Sequence, residues 1–128
     1  GVNPDAKVIA VTVLTSLADA DLEAVGQRGP AADQVARLAA LTRDNGLDGV
    51  VCSAHEIARL RAALGPDFLL IVPGIRPIGA DLGDQQRVMG PKEALDAGAS
   101  ILVIGRPITA APDPVEAARA IAGSLGFS

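Results

Sequence analysis

Residues 68–75 read FLLIVPGI, an unbroken apolar run that ends in Pro-Gly-Ile and is followed directly by Arg76. Similar runs occur at residues 7–14 (KVIAVTVL), 49–54 (GVVCSA) and 101–106 (ILVIGR). A strand that is apolar at consecutive positions expects cover on both faces, which is typical of a parallel sheet. We therefore predict one strand from each of these runs.

Helix-like sequence follows every one of these runs. Residues 31–45 form an amphipathic segment, and residues 53–56 (SAHE) form a capping box in which a Ser and a Glu satisfy each other's amides. A third helix is expected from Pro91, and a fourth is capped by Asp113. In the fourth helix we expect an inward stripe of Val115, Ala118, Ala122 and Leu125.

Strand and helix thus alternate, as (βα)₄, with short additional helices expected at residues 18–25 and near 84–88. This order predicts an α/β fold with parallel strands and a single domain over residues 1–128. Two architectures fit, namely a small open doubly wound sheet and half of a (β/α)₈ barrel. In a half barrel the helices cover one sheet face only, so we expect the chain to associate with another half or with itself.

Composition and charge exclude several classes of function. A net charge of −4, without Trp or Tyr and with only Phe68 and Phe127 as aromatics, argues against nucleic-acid binding. No apolar run approaches the roughly 20 residues that span a bilayer. One Cys, one His and scattered carboxylates offer no metal site, and no cofactor is expected. The single Cys and the lack of a recognisable signal peptide predict a cytoplasmic protein.

Phosphate chemistry is indicated where the last two strands end. Gly105 and Arg106 follow the fourth run, where a glycine amide and a forked guanidinium suit a phosphate dianion. Arg76 stands at the root of a long loop over residues 73–85, and Gln85 at its far end could add an amide. The alternative is that these residues bind nothing. Gly105 would then only turn the chain, both arginines would be solvated, and the 73–85 loop would be an ordinary surface loop. Thr15, after the first run, is on its own more readily a turn or cap residue.

Taken together, these segments resemble bacterial orotidine 5′-monophosphate decarboxylase. The resemblance covers essentially the whole chain and rests on VIAVTVLTS at residues 8–16, GLDGVVCSA at 46–54, PGIRP at 73–77 with GDQ at 83–85, and VIGRPIT at 103–109. It implies strands five to eight of a (β/α)₈ barrel. It also implies that Arg76, Gln85, Gly105 and Arg106 hold the 5′-phosphate of orotidine or uridine monophosphate, with Thr15 against the ligand.

One part of the family's pattern is missing. The resemblance implies a catalytic Asp-x-Lys-x-x-Asp array in the N-terminal half of such a barrel, and no such pattern occurs in this sequence, whose only lysines are Lys7 and Lys92. We expect no catalytic residue here and no decarboxylation by this chain alone. The family's dimeric site also takes a residue from the partner subunit. A ribulose-phosphate or thiamine-phosphate barrel enzyme is a weaker alternative, because the 73–85 loop carries both Arg76 and Gln85.

Overall fold

The structure, a computed structural model, describes residues 3–77 and 89–127. Its strands are β1 (Ile9–Val11), β2 (Gly49–Val51), β3 (Leu69–Val72) and β4 (Ile101–Leu102). Its helices are α1 (Asp19–Ala24), α2 (Ala31–Asp44), α3 (Ile57–Leu64), α4 (Pro91–Ala97), α5 (Arg106–Thr109) and α6 (Pro114–Ser124), with a 3₁₀ turn at Ala54–Glu56 before α3.

The strands form one parallel sheet in the order β1-β2-β3-β4. A doubly wound sheet reverses its strand order, which places helices on both faces. Here the order follows the chain, and right-handed crossovers then place every helix on the same side. The open doubly wound alternative is therefore excluded, and the predicted half-barrel arrangement of βα units is confirmed.

The core lies between the sheet and its helix layer. The sheet contributes the alternate residues that face the helices, and the helices contribute their inward stripes, which together include Val50, Leu70, Val72, Val35, Ala39, Ile57 and Leu60. Cys52 packs in the same cluster as a small apolar residue. Side chains on a strand alternate between faces, so this single core leaves the opposite face without a helix layer.

The opposite sheet face is apolar and open toward its edges. On β1, Ile9 and Val11 are 40% and 58% exposed, and beside β4, Ile101 and Val103 are 48% and 47% exposed. Between them, Ile71 of β3 is only 7% exposed, so the exposed apolar residues of this face lie along its two edges. The expectation that a half barrel exposes one apolar face is confirmed.

Some local predictions differ from the structure. Each strand is shorter than its apolar run, because only part of each run pairs with a neighbouring strand. The helix at residues 18–25 is observed as Asp19–Ala24, whereas the one expected near 84–88 lies outside the described residues. The inward position of Val115 is wrong, since its side chain is 58% exposed and no residue of α6 is buried.

Hydrogen bonds from one arginine of α3, Arg61, connect this helix to the amino ends of β3 and β4. The Arg61 guanidinium donates to the carbonyl oxygens of Gly65 (2.7 Å), Phe68 (2.7 Å) and Gly98 (2.7 Å). It also donates at 3.0 Å to the Ser100 hydroxyl oxygen, which accepts the amide of Leu70 at 3.0 Å. Arg61 therefore connects the loops that enter two neighbouring strands.

Candidate functional site

Strand register places two arginines side by side at the carboxyl edge of the sheet. Val72 of β3 pairs with Leu102 of β4, and the amide of Val103 donates to the carbonyl of Val72 at 2.9 Å. Arg76 and Arg106 each follow the paired residue of their own strand by four positions. Neighbouring strands lie about 4.8 Å apart, so the two segments that carry Arg76 and Arg106 leave the sheet from adjacent strand ends.

The loop that follows β3 is closed at its base. Ile75 forms a parallel bridge with Met89, and the amide of Arg76 donates to the Met89 carbonyl at 3.1 Å. Helix α4 begins immediately afterwards at Pro91. Arg76, which is half-buried, therefore stands where the chain leaves and re-enters the sheet. Gln85, which is predicted as a phosphate ligand, lies outside the described residues.

Gly105 and Arg106 begin a short helix rather than a loop. Gly105 precedes α5, and its carbonyl accepts the amides of Ile108 (2.8 Å) and Thr109 (3.0 Å). A Cβ at Gly105 would meet no atom of residues 3–77 or 89–127 within 4 Å, so these residues leave the space beside the glycine open. The Arg106 side chain is exposed at the same point. An anion therefore has room to approach the backbone here.

Thr15 lies elsewhere on the same edge. It follows β1 and is 8% exposed, whereas Arg76 follows β3, and β2 lies between those two strands. Arg76 and Arg106 thus follow neighbouring strands, whereas Thr15 follows a strand that lies two positions away from that of Arg76. A ligand that reaches from the arginines to Thr15 has to pass across the end of β2.

The residues at the end of β2 behave differently from their sequence motif. The buried Glu56 carboxylate accepts the Ser53 amide at 2.8 Å, which is one half of the predicted capping box. The other half is not formed, because the Ser53 hydroxyl makes no hydrogen bond with any residue that the structure describes. No sequence signal reveals this, since both residue types of the box are present. His55, between them, is exposed.

Burial makes Cys52 a weak acid. Desolvation, with the nearby Glu56 carboxylate as a smaller cause, raises the pKa of the Cys52 thiol to about 12 from an ordinary 9.0. The folded state thus retains a proton that the unfolded chain loses above pH 9. The associated stability is complete below about pH 9 and is lost as the pH rises toward 12.

We expect Cys52 to be inert in the native chain at pH 8, because the reactive thiolate is disfavoured and the sulfur is 1% exposed. Titration with a chromogenic disulfide reagent should show negligible reaction until urea unfolds the chain, and then one thiol per molecule. Rapid stoichiometric reaction of the native chain would contradict this. The reagent's reaction with free cysteine at the same pH serves as the control.

Among residues 3–77 and 89–127, no group of three or more His, Cys, Asp or Glu side chains is arranged to hold a metal ion. No helix in that part of the chain is long and apolar enough to cross a membrane.

Comparison with known proteins identifies the family of these strands and loops. The family model for orotidine 5′-phosphate decarboxylase / HUMPS matches residues 2–121. Orotidine 5′-phosphate decarboxylase of Rhodospirillum rubrum is 62% identical over 93% of the chain, and that of Thermobifida fusca is 58% identical over 95%.

Solved structures give the same result for the fold. The crystal structure of orotidine 5′-phosphate decarboxylase from Lactobacillus acidophilus superposes with a TM-score of 0.77 at 41% identity, and that from Pyrococcus horikoshii with 0.67 at 26%. The chain covers 49% and 52% of those two structures, and 48% and 52% of the Rhodospirillum and Thermobifida proteins. It therefore spans about half the length of the relatives it matches. This chain belongs to the orotidine 5′-phosphate decarboxylase / HUMPS family.

Proposed function

We propose that this chain is the C-terminal half barrel of an orotidine 5′-phosphate decarboxylase and that it binds the nucleotide 5′-phosphate. Arg76, Gly105 and Arg106 are the proposed phosphate ligands, joined by Gln85, with Thr15 against a more distant part of the ligand. The supporting observation is the register of β3 and β4, from which both arginines leave the sheet at equivalent positions. A pair of guanidinium groups can donate several charge-assisted hydrogen bonds to one dianion.

In the full reaction, phosphate binding serves a distant chemical step. The decarboxylation of orotidine monophosphate takes place on the pyrimidine, whereas the proposed ligands hold the far end of the nucleotide. Binding energy from a non-reacting group accelerates a reaction when it is realised in the transition state. These residues would thus orient the nucleotide and leave the bond-breaking step to other groups.

We further propose that the 128-residue chain has no decarboxylase activity by itself. Neither described lysine is placed as a catalytic group. Lys7 lies before β1 and pairs with Asp48 at 3.5 Å, and Lys92 lies in α4 and pairs with Asp96 at 2.7 Å. Because the family's Lys and Asp array belongs to the N-terminal half, the missing groups have to come from that half. The buried, reduced Cys52 supports the proposal of a cytoplasmic location.

Both ends of the sheet can receive further βα units. A groove of about 310 Å³ beside β1 is lined by Leu14, Leu17, Leu22 and Leu38. A second groove, of about 300 Å³, lies beside β4 between Leu102, Ala122 and Leu125. The edge strands β1 and β4 each have one neighbour among the described strands. We propose that the N-terminal half of the barrel pairs with both edges, fills the grooves and covers the open face.

Complementation tests this proposal directly. The chain is mixed with the N-terminal half of the Rhodospirillum rubrum relative, and loss of orotidine monophosphate is followed by its ultraviolet absorbance. We expect neither half alone to exceed background and the mixture to decarboxylate, because only the mixture contains both the phosphate ligands and the Lys/Asp array.

A pair of matched variants makes the result specific to the open face. Val11→Asp places a charge on that face, where Val11 is 58% exposed, and should reduce the restored activity by at least about tenfold, since a buried unpaired charge is costly. Leu41→Asp, at a 60% exposed position of α2, should leave it unchanged. The proposal would be refuted if the two halves associate but their mixture decarboxylates no faster than either half alone.

A second candidate function is a self-associating module without turnover. The exposed apolar residues of β1 and β4 favour it, because large apolar faces on soluble proteins mark association sites. Light scattering at several concentrations distinguishes the candidates. A stable assembly of identical chains that an N-terminal half does not displace would support the module, and a monomer at all concentrations would exclude it.

A further inference from the structure

The hydroxyl of Ser53 is a buried polar group that the fold leaves without a partner. Ser53 is 0% exposed, and its Oγ atom makes no hydrogen bond with any of the described residues. Both backbone groups of Ser53 are satisfied, because its amide donates to Glu56 at 2.8 Å and its carbonyl accepts the Glu56 amide at 3.1 Å. Buried hydroxyls in native proteins are almost always paired, so an unpaired one requires an explanation.

The position of Ser53 supplies that explanation. It follows Val51 by two residues in extended backbone (φ −79°, ψ 162°), so strand alternation places it on the face opposite the helix layer. Val50 and Cys52, which alternate with Val51 and Ser53 along the chain, lie in the core beneath the helices. Ser53 therefore lies at the carboxyl end of β2, between the strand that leads to Thr15 and the strand that leads to Arg76.

We propose that Ser53 is a positioning residue for the nucleoside portion of a bound nucleotide. Its hydroxyl completes its hydrogen bonding, directly or through one internal water, with a polar atom of the ribose or the base. This proposal rests on the proposed function, since it assumes that the phosphate lies at the ends of β3 and β4. A ligand that runs from there toward Thr15 crosses the end of β2, where Ser53 is located.

A comparison of two probes separates this role from a purely structural one. Ser53→Ala should weaken uridine monophosphate binding about tenfold, the value of one hydrogen bond, and leave the affinity for inorganic phosphate unchanged. Ser124→Ala, whose hydroxyl donates to the Ile121 carbonyl on exposed α6, should change neither. Isothermal titration measures both affinities for the chain mixed with the N-terminal half. The midpoint temperature of thermal unfolding without ligand should be unchanged or slightly higher in Ser53→Ala, because the substitution removes an unpaired buried hydroxyl.

Each other outcome overturns the proposal. Unchanged uridine monophosphate affinity in Ser53→Ala means that the hydroxyl does not serve the ligand. A parallel loss of inorganic phosphate affinity means that Ser53 acts on the phosphate site instead of the nucleoside portion. If the unmodified mixture binds neither probe, the proposed function itself fails, and that failure is visible before any variant is compared.

Discussion

Arg106→Ala is expected to weaken the binding of uridine monophosphate by roughly thirtyfold or more. Arg106 is exposed at the first position of α5, beside the open space at Gly105. Its guanidinium would make charge-assisted hydrogen bonds that alanine cannot replace. Removing one partner of such a contact costs about 2–5 kcal/mol, which lowers affinity by roughly thirtyfold or more.

Two control variants define the origin of that loss. Arg119→Ala removes an exposed arginine from α6, far along the chain from the strand ends, and should bind uridine monophosphate normally. Arg106→Lys keeps the charge but loses the planar fork, so an intermediate affinity is expected. Titration calorimetry at fixed ionic strength compares all three proteins. Equal affinities of Arg106→Ala and the unmodified chain would remove Arg106 from the proposed site.

The sequence predicts the parts of this fold that depend on local patterns. The helix expected from Pro91 is observed at Pro91–Ala97, and the helix expected at residues 31–45 is observed at Ala31–Asp44. Proline at a first turn and glycine after a last turn act through backbone geometry alone. The four parallel strands also follow from their apolar runs. These features need no knowledge of distant contacts.

Features that depend on other parts of the molecule are predicted less well. Val115 has the spacing of an inward residue but is 58% exposed, because α6 packs beside the edge strand β4 and not over the centre of the sheet. Ser53 fits a capping box, yet the orientation of its hydroxyl depends on tertiary surroundings. Of the candidate phosphate ligands, Arg76 and Arg106 are recognisable from their positions after apolar strands, but their alignment requires the strand register.

The importance of Arg61 is also hidden in the sequence, where it is one of two arginines on a short helix. Arg61→Ala is expected to lower the free energy of unfolding by about 3 kcal/mol or more. The change leaves the carbonyls of Gly65, Phe68 and Gly98 without their charged donor, and an unsatisfied buried acceptor costs about 1–3 kcal/mol. The free energy of unfolding of a domain is only about 5–15 kcal/mol, so this side chain accounts for a large part of the stability.

Arg59→Ala is the matched control for Arg61→Ala, two positions earlier on α3. Arg59 forms an ion pair with Asp33 at 2.8 Å, both side chains are about half exposed, and such surface pairs contribute about 1 kcal/mol or less. Urea unfolding followed by circular dichroism measures both variants, because the chain has no Trp or Tyr for fluorescence. All samples require one protein concentration, since association shifts apparent stability. Equal losses in the two variants would contradict the structural role of Arg61.

The result for Arg61 also bears on the proposed phosphate site. Arg61 connects the loops that enter β3 and β4, and Arg76 and Arg106 leave the opposite ends of the same two strands. If Arg61 holds these strands in register, Arg61→Lys should weaken uridine monophosphate binding even where the chain remains folded. Lysine offers one compact charge that cannot span the separate carbonyls. A folded Arg61→Lys chain with full affinity would show that the strand pairing alone is sufficient to align the two arginines.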